Sequence, residues 1–214
     1  MITPKKTLSL LAAALAAASV SACVTVFPKE DAATLYRFGS PPPAAAAVSG
    51  PEGPLFGVLK TPTVFTRAAS SDRLLTMTNG EAAYVAGVRW VSPASILFDE
   101  AVAQSFEAGS GRARLIGRGE VAKADLVLRL EVRTFETAYL NGPKAAPEVQ
   151  IRVRAVLSRN ADRALVGDQV FSSTVPASDN RVGPIVTAYD QANADVLSQL
   201  NRWVNAAGAS LPAE

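Results

Sequence analysis

Apolar and polar residues alternate along three segments in the second half of the chain, and this pattern limits the possible fold more strongly than composition does. The segments are residues 125–134, 149–157 and 165–175. In the first segment, four aliphatic side chains share one face, while Arg129, Glu131 and Arg133 share the other. A two-residue repeat with one apolar face is typical of a half-buried antiparallel strand. The sequence therefore predicts a sheet that covers the core with one face and exposes arginines on the other.

Shorter strand-like runs and two helical segments complete the pattern. The runs are residues 35–38, 55–59, 74–78 and 82–90. Asn79-Gly80 between the last two runs predicts a tight hairpin turn. The predicted helices extend from a cap at Ser92 to Gly109, and from a cap at Asp179 or Asn180 to Gly208. This order predicts an α+β fold, in which two principal helices pack on one face of a mostly antiparallel or mixed sheet.

The N-terminus carries a secretion signal that ends at the only cysteine of the chain. Lys5 and Lys6 precede an apolar run over residues 8–18, which is too short to span a bilayer as a mature helix. The run leads into Val20-Ser21-Ala22-Cys23, which resembles the lipobox of bacterial lipoproteins. A lone cysteine cannot form a disulfide within its chain. We therefore expect lipidation at Cys23, the alternative being an ordinary signal peptide with an incidental cysteine.

The expected domain organisation follows from this signal. We expect a lipoprotein signal peptide at residues 1–22, a lipidated tether at 23–33, and a single domain over 34–214 with a loop rich in Pro, Ala and Gly at 39–54. Val24 is not the aspartate associated with retention at the inner membrane. The resemblance to sorted lipoproteins therefore implies a lipid-anchored protein of the cell outer membrane that faces the periplasm.

Charge and composition exclude several functions. The chain has 21 basic and 19 acidic side chains, and removal of Lys5 and Lys6 with the signal leaves the two numbers equal. Because there is no basic block, we predict no binding of nucleic acid. The chain contains no histidine, which removes the usual general base and the commonest metal ligand. We predict no catalytic residue, no metal site and no cofactor.

Two kinds of catalytic group remain possible without histidine. Carboxylate pairs occur at Asp99 with Glu100 and at Glu131 with Glu136, and a Ser–Lys pair would have to use Lys60, Lys123 or Lys144. Acidic residues at the surfaces of helices and strands are usually solvated, and none of these lysines lies in a catalytic motif. A periplasmic hydrolase is therefore the least favoured interpretation.

The arginines of the predicted outer sheet face are the candidate partner-binding residues: Arg129, Arg133, Arg152 and Arg154. One interpretation is a solvated face with cross-strand Arg–Glu pairs, which is the more common situation. The other is a surface that binds a lipid phosphate or an acidic partner. Trp90 and Trp203 are interpreted as packing residues rather than as a platform for a ligand.

Taken in order, several motifs resemble the ABC-type transport auxiliary lipoprotein family, of the paraquat-inducible protein C type. They are Cys23, the early aromatic strand Leu35-Tyr36-Arg37-Phe38, the step Arg89-Trp90 followed by Pro93, a long strand ending in Phe135-Glu136, and the alanine-rich final helix. Arg89, Trp90 and Pro93 are the most distinctive of these and are assigned a structural role. The chain departs from the family pattern at Tyr36-Arg37-Phe38, where the family has a doubled tyrosine.

The resemblance implies a non-catalytic role in an ABC-type, MCE-associated transport system for lipids or hydrophobic molecules. The implied partners are an MCE-domain protein, an ABC permease and an ATPase, with the membrane contacted through the lipid anchor and with a homo-oligomer possible. This subunit would dock the periplasmic transport component at the outer membrane. A different class of answer is a structural or assembly lipoprotein that partners an outer-membrane β-barrel protein.

Overall fold

The computed structural model describes residues 32–39, 53–109, 111–117 and 120–209. The predicted signal peptide, Cys23 and most of the predicted loop at 39–54 lie outside the described residues. Within them, the strands are β1 (Thr34–Tyr36), β2 (Phe56–Lys60), β3 (Val64–Phe65), β4 (Arg73–Thr78), β5 (Glu81–Trp90), β6 (Ala113–Ile116), β7 (Leu126–Ala138), β8 (Glu148–Arg159) and β9 (Leu165–Pro176). The helices are α1 (Ala94–Ala108) and α2 (Val182–Ala209), and a 3₁₀ turn covers Arg67–Ala69.

Strand β7 is the centre of the sheet. One edge of β7 pairs with β8 in antiparallel fashion over its whole length, and β9 adds to β8 in the same way. The opposite edge of β7 pairs in turn with β2, β3 and β4, which lie end to end and are all parallel to it. Strand β6 extends the sheet beside β2, while β5 and then β1 extend it beside β4.

The predicted α+β class is confirmed, and the sheet is mixed. Among the described strands, five pairings are parallel and three are antiparallel, although the two longest ladders are antiparallel. The parallel pairings were not foreseen, because the period of a strand reports which face is buried and not which neighbour the strand will have.

A β-bulge in β7 explains why this strand is longer than predicted. The pairing with β8 shifts between Val132 and Thr134, so that one extra residue is inserted into the ladder. Buried side chains alternate up to Val132 and then resume at Phe135 and Thr137. Because a bulge changes which residues face the core, the strict alternation ends near Thr134 while the strand continues to Ala138.

Helix α1 forms on the predicted apolar face but begins differently from the prediction. The expected cap at Ser92 is wrong, because Pro93 occupies the cap position and makes no side-chain capping bond. Pro93 has an extended backbone, with φ −48° and ψ 135°, so the first helical residue is Ala94 and the cap position falls one residue after Ser92. Backbone carbonyls serve as the cap instead, since Ala94 N donates to Ser71 O at 2.9 Å.

Helix α2 begins at Val182, and its cap position therefore falls at Arg181 rather than at the predicted Asp179 or Asn180. Asp179 accepts hydrogen bonds from the backbone N of Asn180 and from Arg181 Nε instead. The helix then continues to Ala209, as the apolar stripe through Gly208 predicts.

Both helices pack on the same face of the sheet, as predicted. An aromatic cluster joins the layers: Phe38, Trp90 and Phe135 contact Tyr189 of α2, with ring centroids 4.9–6.3 Å apart. Tyr189 is fully buried, and its oxygen accepts a hydrogen bond from the Thr137 hydroxyl at 3.2 Å. The chain segment that follows β1 is thus fixed in the core through Phe38.

Candidate functional site

The outer face of the β7–β8–β9 sheet carries the four predicted arginines, and we call Arg129, Arg133, Arg152 and Arg154 the arginine face. All four lie on the side of the sheet opposite the helices, because the alternate residues of β7 and β8 are buried. Arg129, Arg133 and Arg152 are exposed, and Arg154 is half buried. The strand period therefore predicted their placement.

Two of these arginines belong to a cross-strand network of ion pairs. Arg154 Nε donates to Asp168 Oδ1 on β9 at 2.9 Å, and Arg154 also lies 3.7 Å from the Glu131 carboxylate on β7. Arg133 contacts the same carboxylate at 3.2 Å. Two positive and two negative side chains thus neutralise each other, as the interpretation of a solvated face predicts.

The network shifts the titration of its acidic members. The hydrogen bond from Arg133 lowers the pKa of Glu131, and the hydrogen bond from Arg154 lowers the pKa of Asp168. The same contacts raise the pKa of Arg154, with Asp168 as the main cause. These groups therefore remain charged and paired at neutral pH.

Arg129 and Arg152 differ from the other two arginines. Neither makes an ion pair or a hydrogen bond within the described part of the chain. Arg152 lies opposite Thr134 on β7 and Ser172 on β9, and Arg129 lies opposite Val156. Because these neighbours are uncharged, the arginine face keeps two positive charges that an acidic partner can neutralise.

The carboxylates proposed as acid–base candidates are engaged in separate contacts. Asp99 lies 2.6 Å from Lys60 Nζ and accepts a hydrogen bond from Thr63, while Glu100 contacts Arg37 at 2.6 Å. Lys60 thus contacts an aspartate rather than a serine. In the second candidate pair, Glu131 belongs to the ion-pair network of the arginine face. Glu136 is partly buried, which raises the pKa of its carboxyl group.

The motif residues Arg89, Trp90 and Pro93 lie where β5 leads into α1. Trp90 is 2% exposed and packs edge-on against Phe38 at 5.0 Å. Arg89 lies 3.3 Å from the Asp72 carboxylate. Pro93 accepts the first backbone bonds of α1 through its carbonyl, from Ile96 N and Leu97 N. All three residues thus lie at the join between strand and helix and make contacts there.

A groove between α1 and α2 is a second candidate site, and the sequence did not predict it. This interhelical groove encloses about 790 Å³ and is lined by residues of both helices, with Gly39 and Gly111 also contributing. Gln104 of α1 and Asn193 of α2 both lie in its wall. A signal was available, because Asn193 interrupts the apolar stripe of α2 between Tyr189 and Val196.

Neither described helix is at once long enough and apolar enough to cross a membrane. The described residues also contain no cluster of three or more side chains that could bind a metal ion.

With two helices on one side of a mixed sheet and a polar face on the other, the chain is a two-layer α+β protein. It belongs to the family of the ABC-type transport auxiliary lipoprotein component, whose family model matches residues 36–201. No curated protein matches the chain in sequence.

Solved structures share the fold. A protein from Xanthomonas campestris is 24% identical, with a TM-score of 0.66 over 83% of this chain and 95% of that one. An uncharacterized protein is 11% identical, with a TM-score of 0.60 over 81% of this chain and 99% of that one. At these identities the similarity establishes the fold alone.

Proposed function

We propose that the chain is a non-catalytic, lipid-anchored component of an MCE-type envelope transport system, which docks the periplasmic transport component at the outer membrane. The observation that carries the proposal is the family match over residues 36–201, which assigns the chain to the transport auxiliary lipoproteins. The transported cargo would be a lipid or another hydrophobic molecule, and the partners would be an MCE-domain protein with its permease and ATPase.

The N-terminal sequence supports the location. Lipidation at Cys23 places two or three acyl chains in the membrane, and each buried methylene contributes about 0.8 kcal/mol. Residues 24–33 span at most about 35 Å when fully extended. An anchored domain of this kind works close to its own membrane and has to receive its partner there.

The arginine face supports the docking role. Arg129 and Arg152 project from a rigid sheet without an acidic partner in the described part of the chain, so a partner that brings carboxylates gains charge-assisted hydrogen bonds. Beside Arg129 and Arg152, the ion pairs of Arg154 with Asp168 and Glu131 join strands β7, β8 and β9. We assign partner contact chiefly to Arg129 and Arg152, and a supporting role to Arg133 and Arg154.

The first experiment crosslinks the tagged, full-length lipoprotein in intact cells, separates the two membranes and identifies partners by mass spectrometry. We expect an MCE-domain protein to be recovered in the outer-membrane fraction. The Cys23→Ala variant, which cannot be lipidated, serves as the mislocalised control. Recovery of an outer-membrane barrel protein without an MCE protein would instead favour the assembly role and contradict the proposal.

A second experiment tests the arginine face in the same cells. Arg129→Glu and Arg152→Glu together should reduce crosslinking to the partner at least tenfold, because they reverse two unpaired charges at the surface. Arg163→Glu, in the exposed turn between β8 and β9, is the control for a single charge reversal and is compared with each single variant as well as with the double variant. Equal crosslinking by the double variant and the control would remove the docking role from this face.

A further inference from the structure

The interhelical groove has the volume of a ligand site. Its volume of about 790 Å³ lies within the range of roughly 300–1,000 Å³ that is typical of small-molecule pockets. Small apolar side chains form much of its wall, among them Ala101, Ala108 and Ala194, together with Leu197. A slender apolar group can therefore lie between the helices.

Two carboxamide groups in the wall lack partners. Asn193 is only 2% exposed, and its Oδ1 is buried without a hydrogen-bond donor. Gln104 Oε1, on the opposing helix, is also buried without a donor. An unpaired buried oxygen is destabilising, and a donor from a ligand can satisfy it. Both residues line the groove, one from each helix, and a small rotation of either carboxamide brings its buried oxygen to a donor in the groove.

Several other polar groups of the groove are already engaged. Asn201 Nδ2 donates to Ser105 O at 3.0 Å, and Asn205 Oδ1 accepts from Ala113 N at 2.9 Å. A polypeptide in the groove would need partners for a backbone N–H and C=O at every residue. The groove offers unpartnered groups chiefly at Asn193 and Gln104, which favours a ligand with few polar atoms.

The two charged side chains of the groove wall, Asp190 and Arg202, have opposite signs, so together they give the groove no net charge. Asp190 accepts a hydrogen bond from Gly39 N at 2.8 Å, and Arg202 donates to Ser198 Oγ at 2.9 Å. A ligand with a full charge would therefore lose its hydration in a groove that offers it no net counter-charge. An uncharged head group avoids this cost.

We infer that the interhelical groove binds an uncharged, single-chain amphiphile. Its hydroxyl or amide head group donates hydrogen bonds to Asn193 and Gln104, and its hydrocarbon chain lies along Ala101, Ala194 and Leu197. Binding by the purified protein is a separate property from partner capture in cells, so failure of either experiment is distinguishable from failure of the other.

The test measures binding of monocaprin, an uncharged decanoyl ester with free hydroxyls, to the mature chain carrying Cys23→Ala. Methyl decanoate provides the same acyl chain without a donor. We expect monocaprin to bind at least tenfold more tightly, which corresponds to about one hydrogen bond. Asn193→Leu should reduce this preference, and Asn193→Leu with Gln104→Leu should abolish it, while methyl decanoate still binds. Ala194→Trp, at an exposed position, should weaken both ligands more than tenfold by filling the groove.

Gln169→Leu is the matched control, because it removes an exposed carboxamide from β9, outside the groove. It should leave both affinities unchanged, and circular dichroism should show that every variant is folded. Equal binding of the two ligands by the unsubstituted chain would overturn the inference, as would monocaprin binding that survives Ala194→Trp. Binding of an alanine-rich decapeptide without any binding of monocaprin would assign the groove to a polypeptide and overturn it as well.

Discussion

Replacing Gly57 with alanine should destabilise the protein severely, although the residue lies in a regular strand. A Cβ atom at this position would lie 2.1 Å from the Lys123 carbonyl oxygen and 2.9 Å from Ile116 Cδ1. The first distance is about 1.3 Å shorter than the 3.4 Å at which ordinary contact begins. The obstacle is backbone, and pairing with β6 and β7 holds β2 on both sides, so a side-chain rotation cannot relieve the clash.

The clash also threatens two hydrogen bonds. Gly57 N donates to Asp125 Oδ2 at 2.7 Å, and Asp125 N donates to Gly57 O at 2.9 Å. Overpacking costs about 1–3 kcal/mol, and each hydrogen bond about 1 kcal/mol, so the free energy of unfolding should fall by about 3–5 kcal/mol. At roughly 2–4 °C per kcal/mol for a domain of this size, Tm should fall by about 6–20 °C.

The assay is urea unfolding and thermal unfolding followed by circular dichroism, with Gly183→Ala as the control. A Cβ at Gly183 in the first turn of α2 would meet nothing within 4 Å. That substitution should therefore be neutral or stabilising by up to about 1 kcal/mol. A Gly57→Ala variant whose stability lies within about 0.5 kcal/mol of the parent would refute the steric reasoning.

Three further predictions concern the core and the ion pairs. Thr137→Val and Tyr189→Phe should each lower the free energy of unfolding by about 1–3 kcal/mol, because each removes one partner of a buried hydrogen bond. The double variant should lose less than the sum of the two single losses, which a double-mutant cycle in urea measures. Phe38→Ala should cost about 3–5 kcal/mol because the ring is 1% exposed in the aromatic cluster, and a loss below 1 kcal/mol would contradict this packing. Arg154 lowers the folded-state pKa of Asp168, so the Arg154–Asp168 pair stabilises the folded state above the unfolded pKa of about 3.9. This stabilisation disappears as the pH falls through the folded-state pKa. The difference in urea midpoint between the parent and Arg154→Met should therefore shrink from pH 7 to pH 3, and an unchanged difference would refute the linkage.

The layer architecture could be predicted because it depends on local periodicity. The alternation in β7 and β8 indicates both the strands and the buried face, and the four arginines lie on the outer face for the same reason. The apolar stripes of α1 and α2 likewise predict which helix faces are buried. Strand β3 was missed because a strand of two residues, Val64 and Phe65, has no period to detect.

Features that depend on distant residues could not be predicted. The parallel pairing of β2, β3 and β4 along one edge of β7 joins segments up to about 70 residues apart, and their local patterns do not encode this contact. The partners of Arg154 follow from the register of three strands, which fixes Asp168 and Glu131 beside it. The interhelical groove depends on how two helices separate, and only the polar Asn193 in an apolar stripe indicated it.

The central place of β7 has a consequence for the order of folding. Within the described sheet, β2 pairs only with β6 and β7, and β3 pairs only with β7, so neither is stabilised by the chain that precedes it. In a chain that emerges N-terminus first, β2 has only β6 to pair with until β7 begins to appear at residue 126, and β3 has no strand partner until residues 131–132 have appeared. Assembly then couples the two halves of the chain in one late step, because closing these long loops costs entropy before any contact is gained. A chaperone that holds the emerging N-terminal half until β7 arrives would therefore protect it during its most vulnerable interval.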